Sequence, residues 1–182
     1  MASGITHFIT GAALALPALE SRAIRAVLPR WAIPVSSGLL AMAPDLDTWA
    51  RRVIEIPRGS LLAHRGLFHS PFFLILFAAV LAAAVARRHS WRAAAWLALL
   101  WAGCGVAHPV LDALTDGGPG IMLLVPFSEA RLFFPWRPIH ASPLGILAFF
   151  DRAGEILRSE LPFWIAAAGI GVCGRWARSR TY

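Results

Sequence analysis

The sequence has no lysine, one tyrosine and two cysteines in 182 residues. All 17 basic side chains are therefore arginine. Charge of either sign is scarce: Asp, Glu, Lys and Arg make up 15% of the chain, against about 25% in an ordinary soluble domain. Cys104 and Cys173 both lie inside apolar stretches and form no Cys-x-x-Cys pair, which excludes a disulfide framework and a thiolate metal site. No basic region precedes the first apolar run, and His7 interrupts that run, so the N-terminus does not read as a secretory signal. No P-loop is present, and no serine stands in the Gly-x-Ser-x-Gly setting of a nucleophile elbow.

What is abundant is apolar surface. Hydrophobic residues make up 58% of the chain and the mean hydropathy is +0.63. That excludes intrinsic disorder and points to an integral membrane protein of one domain, residues 1–182. The pI near 11.3 does not argue for nucleic acid, because the arginines stand in small groups between apolar segments, as topology-setting charges do. Five segments stand out: Ile5–Leu19, Trp31–Ala43, Pro71–Ala86, Ala93–Leu114 and Leu161–Val172. The expected fold is all-α, a polytopic bundle of about five hydrophobic helices. Only the fourth segment reaches the roughly 20 residues that cross a bilayer core unaided; the first, second and fifth need flanking residues or tilt.

Arginine placement sets the expected orientation. Arg22, Arg25, Arg30, Arg87, Arg88, Arg92, Arg175, Arg178 and Arg180 would share one face with a single acid, Glu20. The other face carries eight arginines, Arg51, Arg52 and Arg58 among them, but also nine acids. The first face is expected to be cytoplasmic. Trp31, Trp91 and Trp176 flank segment ends there, and Trp49, Trp136 and Trp164 do so opposite, in the manner of two aromatic belts.

On this map His7, Asp45, Asp47, His64, His69, His108, Asp112 and Asp116 all fall at the outer face, drawn from four separate segments. His108 and Asp112, four apart, share one helix face, and Asp116 is expected two turns further along the same helix, with Gly117-Gly118-Pro119-Gly120 leaving its end open to a ligand. His64 and His69, five apart, cannot share a helix face, so His64 is expected on a loop that folds back. Each residue has a plainer reading by itself: Asp45 and Asp47 as first-turn acids, Asp116 as the carboxylate holding the Gly-rich turn, His7 as an interfacial residue. Their convergence favours a metal site. Imidazole with carboxylate and no thiolate suits Zn²⁺, with Mn²⁺ or Fe²⁺ as alternatives. The number of ligands suits two or three ions, an arrangement used for phosphate-ester hydrolysis. The expected ligands are His7, Asp45, Asp47, His64, His69, His108 and Asp112. The candidate catalytic residues are Asp47, Arg65, as a bidentate clamp for phosphate, and Asp116.

These residues also carry a resemblance. Thr6-His7, Pro44-Asp45-Leu46-Asp47, His64-Arg65-Gly66-Leu67-Phe68-His69-Ser70, His108-Pro109-Val110-Leu111-Asp112-Ala113-Leu114-Thr115 with the following Gly-rich turn, and Leu124-Val125-Pro126-Phe127 stand in the order found in a bacterial inner-membrane family of metal-dependent hydrolases, also called LexA-binding, inner-membrane-associated hydrolases. The chain resembles that family over residues 7 to about 138. It departs at Thr48, often His in the family, at Phe68, commonly Thr, and at Asp116-Gly117-Gly118, where relatives often have Pro-x-Gly; Asp116 is the expected substitute for the missing histidine. The family is in turn distantly similar to zinc-dependent phospholipase C and P1-type nucleases. That implies a multinuclear zinc site and phosphoester hydrolysis, and the LexA label implies a regulatory association.

The expected function is membrane-embedded hydrolysis of a phosphate ester, such as a phospholipid or lipid phosphate, by metal-activated water at the periplasmic face of the inner membrane. The expected partners are the lipid bilayer and an amphiphilic phosphate-containing substrate, and no nucleic acid. The alternatives are a metal-binding membrane regulator and a metal transporter. Transport is disfavoured because the cluster sits at one end of the bundle, away from the midplane.

Overall fold

The computed structural model describes residues 1–50, 53–57, 59–143 and 145–180. Arg51, Arg52 and Arg58, used above for orientation, lie outside them. The described residues form an all-helical protein: α1 (Gly4–Leu14), α2 (Arg22–Val27), α3 (Ala32–Met42), α4 (Asp47–Ala50), α5 (Pro71–Val85), α6 (Trp91–Ala113) and α7 (Ile146–Ser179), with 3-10 turns at Leu16–Glu20, Ala43–Leu46 and Leu67–His69. Two isolated bridges, Thr115 to Ile139 and Ile121 to Leu132, are the β pairing among these residues.

Local chemistry explains the boundaries. Ser3 caps α1 by accepting from the Thr6 N–H, and Ser90 caps α6 by accepting from Ala93. α1 ends before Pro17 and α3 before Pro44, because proline cannot continue the hydrogen-bond ladder. At a rise of 1.5 Å per residue, these 11-residue helices reach about 17 Å, well short of the ~30 Å hydrocarbon core. The expectation of five spans is therefore corrected. Two helices, α6 and α7, are long and apolar enough to cross a membrane, and α5 is a shorter apolar helix.

The fifth segment is longer than expected. α7 begins 15 residues before Leu161 and runs through Pro162, which removes only the bond to the Arg158 carbonyl. Its first half carries Asp151, Arg152, Glu155, Arg158 and Glu160, residues that the sequence places between segments. Trp164 is half-buried, and its indole N–H donates to Thr6 Oγ1 at 2.6 Å and ties α7 to the start of α1, while Trp49 and Trp136 are exposed.

The core is built of small residues. Ala15, Ala18, Ala78 and Ala82 pack with Ile24, Ile33, Leu97 and Trp101 where α5, α6 and α2 meet. α7 lies against α1 and the turn after it through Gly171, whose added Cβ would strike the Ala13 carbonyl and Leu16. Gly169-Ile170-Gly171-Val172-Cys173-Gly174 has the Gly-x-Gly-x-x-Gly spacing of a dinucleotide fingerprint, but it lies inside α7 and serves helix packing. Gly171→Leu is expected to lower thermal stability in detergent by about 1–3 kcal/mol or more, whereas Gly169→Leu, which meets open space, leaves the unfolding midpoint nearly unchanged. The outer faces of α5 and α7 are apolar and exposed at Phe72, Ile75, Leu76, Val80, Ile165 and Ile170, a surface suited to lipid.

Candidate metal centre

The helices run so that one end of the bundle collects the chemistry. His7 lies in the first turn of α1, Asp45 in the turn after α3, Asp47 at the start of α4, His69 in the turn before α5, and His108 and Asp112 near the end of α6. His64 stands on the irregular segment before His69, folded back as its spacing demands. His7, His69, His108 and Asp112 are fully buried, and Asp47 and His64 nearly so.

Asp45 is the hub. Its Oδ1 is 3.6 Å from His69 Nε2 and 3.5 Å from His108 Nε2. His7 Nε2 is 4.0 Å from Asp45 Oδ2 and 3.4 Å from Asp112 Oδ1. Most of these separations are too long for hydrogen bonds. They match the ~3.3–3.6 Å edges of a tetrahedron of ligands about 2.0–2.2 Å from a central ion. Asp45, His69, His108 and Asp112 offer one group of ligand atoms within 4.8 Å of one another, and Asp47, His64 and His69 a second.

The hydrogen-bond ledger agrees. Among the described residues, eleven buried side-chain atoms have no hydrogen-bond partner, and eight of them belong to His7, Asp45, Asp47, His69 and His108. Each orphan of this kind costs about 1–3 kcal/mol, so so many in one place fit a set of donor atoms shaped for a cation. His108 Nδ1 lies 2.7 Å from the Ala41 carbonyl. That oxygen only accepts, so Nδ1 carries the proton and Nε2 turns its lone pair inward, the usual support for a metal-binding imidazole. The second group is partly self-satisfied, because His64 Nδ1 and Asp47 Oδ1 form a 2.8 Å hydrogen bond, while Asp47 Oδ2 faces His69 Nδ1 at 3.4 Å without a hydrogen bond.

Burial holds the His69 imidazole down to about 4, the neutral form that ligation requires. Its unfolded value is near 6.5. Between these values the unfolded chain binds a proton that the metal-free native state does not. The contribution of His69 to the stability of metal-free protein is therefore fully present above pH ~6.5 and is lost as pH falls toward about 4. Denaturant titrations of chelated protein across that window check this.

Two sequence expectations are corrected here. Arg65 is fully buried and its guanidinium is already engaged. Nε donates to Asp112 Oδ2 at 3.2 Å, one terminal nitrogen to the Gly117 and Pro119 carbonyls at 2.9 and 2.8 Å, and the other to Thr115 Oγ1 at 2.9 Å. It is a strut that closes the Gly-rich turn, so that turn is not open to a ligand and Arg65 is not available as a bidentate phosphate clamp. Asp116 lies beyond the end of α6, so the helix-face argument does not reach it. Its Oδ2 meets His140 Nδ1 at 2.8 Å and its Oδ1 accepts from the Ala141 N–H. These bonds outweigh partial burial and hold its pKa below the usual carboxylate value. It is a surface brace, not a substitute ligand.

Other contributors carried no signal that their pattern could reveal. The Ala2 N–H donates to Asp112 Oδ1 at 2.7 Å. Buried Glu160 accepts from the Ser3 N–H and hydroxyl at 2.5 and 2.7 Å, pinning α1 to α7. Thr115 accepts from Arg65 and donates to the Asp112 carbonyl; its place in the His108–Thr115 motif was visible, its role was not. Cys104 donates to the Gly11 carbonyl and Cys173 is exposed.

A family model described as "YdjM inner membrane protein" matches residues 1–179. The chain is similar to inner membrane protein YbcI of Escherichia coli (strain K12), 32% identical over 150 residues that cover 78% of this chain and 82% of that protein. No solved structure matches.

Proposed function

The chain belongs to the YdjM inner membrane protein family, and from that premise we propose that its buried His/Asp cluster is the metal centre of a membrane-embedded hydrolase acting on a phosphate ester. The observation that carries the reading is the convergence of orphaned imidazole and carboxylate atoms at tetrahedral spacing. Asp45, His69, His108 and Asp112 are the residues that would hold a divalent ion, with His7 at its edge; zinc suits them best, and manganese or ferrous iron also fits. Such an ion supplies Lewis acidity toward a phosphoryl oxygen and acidifies water.

The protein's own groups do the remaining work. Asp47, oriented through Oδ1 by His64, keeps an Oδ2 without a hydrogen bond, 3.4 Å from His69 Nδ1, as the proton acceptor. Arg65 holds Asp112 and the Gly-rich turn in place. The cluster is assigned to the periplasmic side and Arg175, Arg178 and Arg180 to the cytoplasmic side. A C-terminal alkaline phosphatase fusion is accordingly expected to be inactive and a C-terminal fluorescent protein bright; the opposite pair of results would invert the topology.

The deep burial of the cluster favours one competing reading, a regulator in which the ion is structural. Elemental mass spectrometry on detergent-purified protein, beside a screen of soluble and lipid phosphate esters, separates the two. Stoichiometric metal with turnover supports the hydrolase. Stoichiometric metal without turnover on any ester leaves the regulator.

A further inference from the structure

A cavity of about 310 Å³ lies beside the cluster, walled by Pro44, Leu46, Asp47, Phe68, Phe73 and Phe77. This volume is at the small end of the range for ligand pockets, roughly 300–1,000 Å³. Its lining is almost wholly apolar. Phe68 meets Phe73 edge to face with centroids 5.3 Å apart, and Phe73 stacks with Phe77 at 6.1 Å. The one charged side chain on its wall is Asp47, which also belongs to the second ligand group. At one end, then, the cavity touches the chemistry through Asp47 and through Phe68, the residue next to His69. At the other, Leu46 is 65% and Phe77 42% exposed, on the same side as the apolar outer face of α5. Away from Asp47 the wall offers a ligand only apolar side chains, against which each buried methylene gains about 0.8 kcal/mol.

We propose that this cavity takes a single hydrocarbon chain of the substrate, entering sideways past Leu46 and Phe77 from the surrounding lipid, so that the phosphate ester at the end of that chain is delivered to Asp47 and the metal centre. The inference rests on the hydrolase reading and narrows it: the substrate is a long-chain lipid phosphate, and Phe68, Phe73 and Phe77 determine its specificity. The small volume seats the head-proximal part of one chain, with the remainder left in the bilayer.

The test uses the full-length protein in nanodiscs and a long-chain alkyl phosphonate carrying a photoreactive diazirine in its chain, a probe that cannot be hydrolysed. Cross-links are expected at Leu46, Phe73 and Phe77. Unlabelled long-chain phosphonate should compete, and methyl phosphonate or inorganic phosphate should not. Ala43 also lines the cavity, and Ala43→Phe, which fills it, is expected to reduce labelling by roughly tenfold or more, the equivalent of losing about two buried methylenes, with metal content retained. Leu46→Arg at the exposed rim is the second variant, in case Ala43→Phe does not fold.

Labelling spread over the outer faces of α5 and α7, and unaltered by either variant, would overturn the proposal as contact with bulk lipid only. Labelling confined to the cavity, without turnover of any ester, would sink the hydrolase reading and leave a lipid-binding site. Turnover of soluble esters with no cavity labelling would do the reverse.

Discussion

Arg65→Ala is expected to cost about 3–5 kcal/mol and to weaken any metal binding at the cluster, because it strands the buried Asp112 carboxylate without its cation and leaves the buried Thr115 hydroxyl short of a donor. The backbone sharpens the effect. Arg65 sits at φ +65°, a left-handed conformation that a non-glycine residue holds only when its surroundings demand it. The demand comes from the side-chain bonds above and from the Met122 N–H, which donates to the Arg65 carbonyl. Gly66 follows because a Cβ there would collide with the Leu61 carbonyl. Arg65→Lys keeps the charge but not the fork that reaches Asp112, Thr115 and two carbonyls at once, so most of the loss should remain. Thermal unfolding with metal analysis decides between strut and clamp. A clamp for phosphate predicts a normal unfolding temperature with a raised KM; a strut predicts an early transition and little bound metal.

Asp45→Asn should abolish stoichiometric metal binding without unfolding the protein. Removing a supporting group outside the ligand set typically lowers affinity by about 10–100-fold, and Asp45, whose Oδ1 faces both His69 and His108, should exceed that. Wild-type protein holding metal at about 100 times its Kd gains ~2.7 kcal/mol, so chelation should lower its melting temperature. The variant's melting temperature should ignore the chelator. Its amide also offers a donor to the imidazole nitrogens that now lack one, so the variant should be no less stable than chelated wild type. Asp116→Asn is the contrasting substitution: it loosens a surface pair with His140 and should leave metal content unchanged. Equal metal loss in both variants would dissolve the distinction drawn here between cluster and brace.

Much of this centre was legible before any coordinates, for a definite reason. Side chains from different helices meet where the helix ends meet, and His7, Asp45, His69, His108 and Asp112 stand near such ends in the linear map. The His108–Asp112 spacing places both on one face of α6 whatever else the chain does. Asp116 misled because periodicity says nothing of where a helix stops: α6 ends at Ala113, three residues too soon. The count of spans misled in a similar way. An apolar run reads alike whether it crosses a bilayer or is cut to half length by Pro17 or Pro44 and packed against longer neighbours.

Composition and local pattern alone determined the helical class, the affinity for lipid, the absence of thiolate chemistry and the end of the bundle where imidazoles and carboxylates gather. Those properties follow from side-chain chemistry and from periodicity, which act over a few residues. Tertiary structure decided which of these groups face one another. It set the Asp45 carboxylate among three imidazoles without a hydrogen bond, spent Arg65 on carbonyls 52 and 54 positions away, and opened an apolar cavity against Asp47. Contacts at such separations depend on how helices pack, and the spacing of residues along the chain does not encode them.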